Sequence, residues 1–146
     1  MWHKKIMASL GVLICLFASS GAVAYAESAV PFVDNGISLA YEIACNPISV
    51  LEIIGNTAYC TSKTDGSEAV SITITQTLQK YWGLWIWNDV DGAEWTRTVG
   101  RNSIYLSSSK SGLDSGTYRL KSVFTLTNSS GKTETITVYS DEKRVG

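Results

Sequence analysis

The chain has 146 residues, 45% of them hydrophobic, with 12 Lys+Arg against 13 Asp+Glu and a single histidine. That length suits one domain built around one core. The near-balanced, slightly acidic charge supplies no basic patch and no block of like charge, which argues against nucleic acid or an anionic membrane as partner.

Residues 1–26 read as a secretory leader. Lys4 and Lys5 give the positive start, 6–18 is an apolar run of h-region length, and Ala24-Tyr25-Ala26 supplies the small-x-small pattern before Glu27. The apolar run falls short of the ~20 residues a membrane span needs. Ile14 stands before Cys15, where a lipoprotein signal needs a small residue. The expectation is therefore a protein secreted to the extracellular space, monomeric, with no membrane attachment once the leader is cut. An extension at 27–36 would then precede a domain at 37–146.

The leader takes His3, Met1 and Met7 with it, and no other histidine occurs. A mature chain without histidine cannot build a Ser-His-Asp or Cys-His site and lacks the commonest zinc ligand. A non-catalytic protein with no cofactor and no metal is expected. Cys45 and Cys60 remain as an even pair in an oxidising setting, so a disulfide is expected. Closing a loop of about 15 residues would contribute roughly 3 kcal/mol on the chain-entropy model.

In chain order, 37–44, 49–54 and 57–62 look like three short strands, with Pro47 breaking the pairing after Cys45 and Gly55-Asn56 as a turn. Asp65-Gly66 is a second turn. Val70, Ile72, Ile74 and Leu78 then alternate with Ser71, Thr73, Thr75 and Thr77, the period-2 pattern of a half-buried strand.

The aromatic segment that follows holds the strongest candidate site, Tyr81, Trp82, Trp85 and Trp87. On one continuous strand, Tyr81, Gly83, Trp85 and Trp87 would share a face, with Trp82, Leu84 and Ile86 on the other. Either these tryptophans fill the core, or one face is exposed and presents flat indoles to a sugar ring or a partner protein. Gly83 suggests a bulge that would change the faces.

Asn88-Asp89-Val90-Asp91-Gly92-Ala93-Glu94 bunches three carboxylates. The spacing matches only a fragment of a calcium loop, and Asp91-Gly92 reads more simply as a hairpin tip. Ser107, Ser108 and Lys110 have serine–lysine spacing, but their polar surroundings would not depress a lysine pKa, and the run reads as a surface loop. Ser111-Gly112 and Ser130-Gly131 mark further turns. Asn128-Ser129-Ser130 fits a glycosylation sequon and reads as a hairpin loop. Between the turns, Tyr118, Leu120, Phe124 and Leu126 share one face of a strand. Ile136 and Val138 interleave with Thr135, Thr137 and Tyr139 in the last one.

Seven or eight strands with no helical period imply an all-β fold of two packed sheets, an antiparallel β-sandwich. Asp114-Ser115-Gly116-Thr117-Tyr118-Arg119-Leu120 resembles the Asp-x-Gly-x-Tyr-x-Cys stretch that opens strand F of immunoglobulin-type domains. The resemblance implies a tyrosine corner and an Ig-like sandwich, with Leu120 where that family has a cysteine.

A wider resemblance runs through Tyr41-Glu42-Ile43-Ala44-Cys45, Ala58-Tyr59-Cys60-Thr61-Ser62, Ile74-Thr75-Gln76-Thr77-Leu78-Gln79-Lys80 and Trp95-Thr96-Arg97-Thr98-Val99. It continues through Ser115-Gly116-Thr117-Tyr118-Arg119-Leu120-Lys121-Ser122-Val123-Phe124 and Glu134-Thr135-Ile136-Thr137-Val138-Tyr139-Ser140. These pieces resemble a family of small secreted β-rich proteins of Gram-positive, clostridia-like bacteria whose function is not established. The resemblance implies a secreted bacterial domain and brings no site residues with it. The expected role is binding or structural, at the cell envelope or in the extracellular space, with a glycan or an extracellular protein as partner. The alternative is a small secreted inhibitor or effector that docks on another protein.

Overall fold

The computed structural model describes residues 24–27 and 41–146, so most of the expected leader and the 27–36 extension lie outside the described residues. The strands are β1 (Ala24–Glu27), β2 (Ala44–Ile54), β3 (Thr57–Gly66), β4 (Ala69–Gly83), β5 (Ile86–Val99), β6 (Ser103–Lys110), β7 (Gly116–Asn128), β8 (Thr133–Tyr139) and β9 (Lys143–Val145). β1 straddles the expected cleavage point after Ala26 and runs parallel to β8.

The alternation seen in the sequence fixes which side of each strand is buried. Ile72, Ile74 and Leu78 of β4, Leu120, Phe124 and Leu126 of β7, and Ile136 and Val138 of β8 all turn inward. They line a sheet of order β1-β8-β7-β4-β5, with β9 pairing the start of β7 beyond the end of β8. A second sheet, β2-β3-β6, covers it through Leu51, Ala58, Cys60 and Ile104. This is the expected Ig-like antiparallel sandwich.

The tyrosine corner is present. Tyr118 is buried and its hydroxyl donates to the Asp114 carbonyl at 2.7 Å. Leu120 shares a buried cluster with Cys60, on the two strands that are bridged by a disulfide in antibody domains.

Two apolar clusters make up the core. One gathers around Ile72, Ile74, Phe124 and Leu126, the other around Leu51, Leu78, Tyr118 and Leu120. Between them runs a buried polar chain. Ser49 meets Ser122 at 2.8 Å, Ser122 meets Ser62 at 2.7 Å, and the Gln76 amide donates to Ser62 at 2.7 Å. Ser108 closes the chain by donating to Gln76 Oε1 at 2.5 Å. Among the described residues no buried side-chain nitrogen or oxygen lacks a partner. At one end Glu134 accepts the backbone N–H groups of Glu42, Ile43 and Ala44, which ties the start of β2 to β8.

Several expectations are corrected. The Cys45–Cys60 bridge is absent, and both cysteines are free. Cys45 lies opposite Asp65 and Cys60 opposite Leu51, so the run of β3 from Cys60 to Asp65 separates them. At ~3.3 Å per residue that is about 16 Å, far beyond the ~7 Å between Cα atoms that a disulfide tolerates. Pro47 does not end the pairing; it sits in a register shift between Cys45 and Ile48, after which the ladder resumes. A similar shift between Ala69 and Ser71 buries Ala69 and turns Val70 out to solvent. Residues 103–110, read partly as a loop, form edge strand β6.

Two outcomes test this core. Burial pushes the Cys60 thiol up to about 12, so it stays protonated and unreactive. Iodoacetamide will therefore label Cys45 in the native protein and Cys60 only in denaturant, and a reducing agent will leave the unfolding midpoint unchanged. Gln76→Ala will lower stability by about 3 kcal/mol in urea titration, since it strands buried hydroxyls and leaves a cavity.

Candidate functional site

The aromatic segment is a hairpin rather than one strand. Gly83 pairs with Ile86, so Leu84 and Trp85 form a two-residue turn. Both have positive φ, 51° and 66°, as a type I′ turn demands. That turn normally uses Asn-Gly, because bulky side chains collide with the backbone in the left-handed region. Here it presents Leu84 at 84% and Trp85 at 90% exposure, with only a long 3.4 Å bond from the Trp85 N–H to the Tyr81 hydroxyl.

The turn splits the expected quartet into three groups. Tyr81 and Trp87 are cross-strand partners, their rings 5.2 Å apart and tilted by 56°. They lie on the outer face of the larger sheet. Trp85 stands at the tip. Trp82 is the extra residue of a bulge between Tyr81 and Gly83, and it is 73% exposed on the opposite side of the hairpin. None of the four is in the core; Trp95, further along β5, packs partly against it.

The outer face holds a residue that sequence reasoning did not single out. The Arg119 guanidinium is stacked between Trp87 and Tyr139, 4.2 and 4.1 Å from the two ring centres. Its Nε donates to Gln79 Oε1 at 2.9 Å, and the Gln79 amide donates to Asp89 at 2.8 Å. Burial lowers the pKa of the guanidinium, while Tyr139 and Glu142 pull it the other way. This assembly pins the base of the hairpin to β7 and β8.

Trp82 borders a cleft of about 210 Å³ between the hairpin and the 111–115 loop. Its polar lining is Lys80, Asn88, Asp89, Lys110 and Asp114, with Val90, Leu113 and Tyr118 as the apolar part. The volume is below the ~300 Å³ at which ligand pockets usually begin, and it is open enough to take one ring laid against an indole. A second cleft of about 500 Å³ lies at the far end of the smaller sheet, with Tyr105 as its aromatic residue.

The acidic segment is not a hairpin tip. Four residues, from Val90 to Ala93, oppose Leu78 alone, so they form a bulge within β5 that buries Ala93 and places Gly92 at φ 64°. Asp89 and Glu94 pair with β4 on opposite sides of it, and among the described residues no three acidic, cysteine or histidine side chains gather to hold a metal. Ser108 spends its hydroxyl proton on Gln76, so it is a structural link rather than a nucleophile. Asn128 caps the β7–β8 loop, its Oδ1 accepting from the Ser130 and Lys132 N–H groups.

No protein-family model matches the chain, and no curated protein does. Among solved structures the fold is similar to wild-type OgpA from Akkermansia muciniphila, at 13% identity and a TM-score of 0.40 in each of two crystal forms. It is also similar to catalytically inactive OgpA in complex with an O-glycopeptide (glycodrosocin) substrate, at 14% identity and 0.39. The alignments cover 71–73% of this chain and 31–32% of OgpA, so the chain spans about a third of that protein's length.

Proposed function

We propose that this is a secreted, non-catalytic binding module whose contact surface is the aromatic end of the β4–β5 hairpin, with a glycan as ligand. The observation that carries this reading is the placement of Trp82 and Trp85, two indoles held 73% and 90% exposed on a hairpin whose base is clamped by Arg119. With Leu84 and Ile86 beside them these indoles make a run of exposed large apolar side chains, and contiguous apolar patches mark contact surfaces. Trp82 beside a cleft of amide, ammonium and carboxylate groups has the makeup of a sugar site: a flat apolar platform and hydrogen-bonding groups for ring hydroxyls.

The turn supports the same reading. Holding Leu84 and Trp85 at positive φ costs on the order of 1–2 kcal/mol per residue, and strain of that kind concentrates where it serves a contact. A second reading follows from the tip itself. Leu84, Trp85 and Ile86 form an exposed aliphatic–aromatic knob of the sort that anchors a protein interface, as an inhibitor or effector would use.

The strain of the turn and the identity of the ligand are tested by separate experiments. Replacing Leu84-Trp85 by Asn-Gly is expected to raise stability by about 2 kcal/mol in denaturant titration, through relief of the left-handed strain; an unchanged midpoint would mean the tip is unstrained. Iodide will quench tryptophan emission strongly, and soluble cell-wall polysaccharide will protect it. Trp82→Ala is expected to weaken polysaccharide binding at least about tenfold, a loss of ~1.4 kcal/mol, with Trp85→Ala weaker in effect. Retention of full binding by Trp82→Ala would take the glycan site away from this indole, and absence of polysaccharide binding would remove the glycan reading and leave protein docking through the tip.

A further inference from the structure

The cleft beside Trp82 contains two ammonium groups that the fold is shaped to hold. Lys80 reaches it from β4 and Lys110 from β6, one strand in each sheet. Lys80 lays its chain along Gly116, where a Cβ would fall 2.6 Å from Cε and 3.4 Å from Nζ, and its ammonium lies 5.6 Å from the centre of the Tyr118 ring. Lys110 places its Nζ 3.3 Å from where a Cβ on Gly92 would stand, so the β5 bulge makes room for that ammonium. Gly92 and Gly116 both have positive φ, 64° and 152°. Backbone that only glycine adopts easily thus borders each lysine.

Neither lysine forms an ion pair among the described residues, although both stand in a cleft that also contains Asp89 and Asp114. Asp89 is engaged by the Gln79 amide, and Gln79 is in turn held by Arg119 on the outer face. Two ammoniums therefore face one uncommitted carboxylate, Asp114, beside an indole and the Asn88 amide. A neutral sugar would use the indole and the amide but would leave two poised cations without a role.

Resting on the glycan reading above, we propose that the cleft is a subsite for a carboxylated sugar, the uronate ring of an acidic glycan. Trp82 stacks on the ring, Lys80 and Lys110 take the carboxylate, and Asn88 and Asp114 meet ring hydroxyls. Ammonium–carboxylate contacts in a half-open cleft are screened by salt, so binding will weaken as ionic strength rises.

The test uses the full protein, calorimetric titration and three polyuronates (polygalacturonate, alginate and hyaluronate) against neutral xylo- and cello-oligosaccharides of matched length. At least one polyuronate is expected to bind more than tenfold tighter than either neutral chain. Lys110→Gln and Gly92→Val should each lower that affinity about tenfold and flatten its salt dependence, with Lys80→Gln acting likewise. Lys110→Gln removes the charge of a half-buried side chain with little change in its size, so an unchanged melting temperature certifies its fold should Gly92→Val prove unstable. Neutral chains binding as tightly, with no response to Lys110→Gln, would overturn the uronate subsite and leave the glycan reading intact. Failure of every polyuronate while other cell-wall polysaccharide binds through Trp82 would do the same. Absence of any saccharide binding would overturn both.

Discussion

The register of the two sheets on one another depends on the polar chain that crosses the core of this sandwich. Ser49 and Ser62 from one sheet, Ser122 and Gln76 from the other, and Ser108 from the edge strand bond in sequence between two dry clusters. Apolar contact alone tolerates small offsets between sheets; directional bonds between fixed partners do not. A one-residue slip of β3 would send Ser62 outward and bring Thr61 or Lys63 into the core, leaving Gln76 and Ser122 unpaired in a dry interior. The same bonds set the cleft. Lys110 is two residues beyond Ser108 on the same face of β6, and Lys80 is four beyond Gln76 on the same face of β4. The contact that seats β6 on β4 therefore also brings the two lysines to one place.

Much of the fold was legible in the sequence because burial imposes a two-residue period. Ile72, Ile74, Leu78, Leu120, Phe124 and Leu126 were all read inward and all are. The tyrosine corner was legible because its pieces are adjacent in sequence. The polar chain was not, although its trace was present: Gln76 and Ser122 are the two gaps in otherwise apolar inward series. A polar residue in such a gap can mark an outward shift or a buried hydrogen bond, and only the facing sheet decides which. The disulfide failed for a related reason. Counting cysteines says nothing of register, and Cys45 and Cys60 lie on adjacent strands but far apart along the ladder.

The candidate site was legible in composition and illegible in geometry. Tyr81, Trp82, Trp85 and Trp87 were recognisable as an unusual concentration, yet the turn fell where no turn chemistry is written. Asp91-Gly92 has the residues of a hairpin tip and makes a bulge, while Leu84-Trp85 has the residues of a strand and makes the tip. The explanation lies in the ladder on either side. Gln79 and Asp89, then Tyr81 and Trp87, pair across the two strands, and their cross-strand contacts are reinforced by Arg119. Pairing of that strength leaves two residues to close the hairpin whatever their propensity, which is tertiary context overruling local preference.

That arrangement also determines what the hairpin is able to do. An exposed tryptophan on a flexible loop loses side-chain and backbone freedom when it binds, and the loss subtracts from affinity. Here the base of the hairpin is fixed by a guanidinium held between two rings, each such contact contributing about 0.5–2 kcal/mol, and the bulge at Trp82 aims its indole away from Tyr81 and Trp87. The aromatics are thus divided by role: Tyr81, Trp87 and Tyr139 brace the strands with Arg119, and Trp82 and Trp85 are left uncovered. Rigidity at the base is what would make the exposed pair a preorganised contact, so the proposed binding surface follows from how the hairpin end is braced and not from the sheet faces.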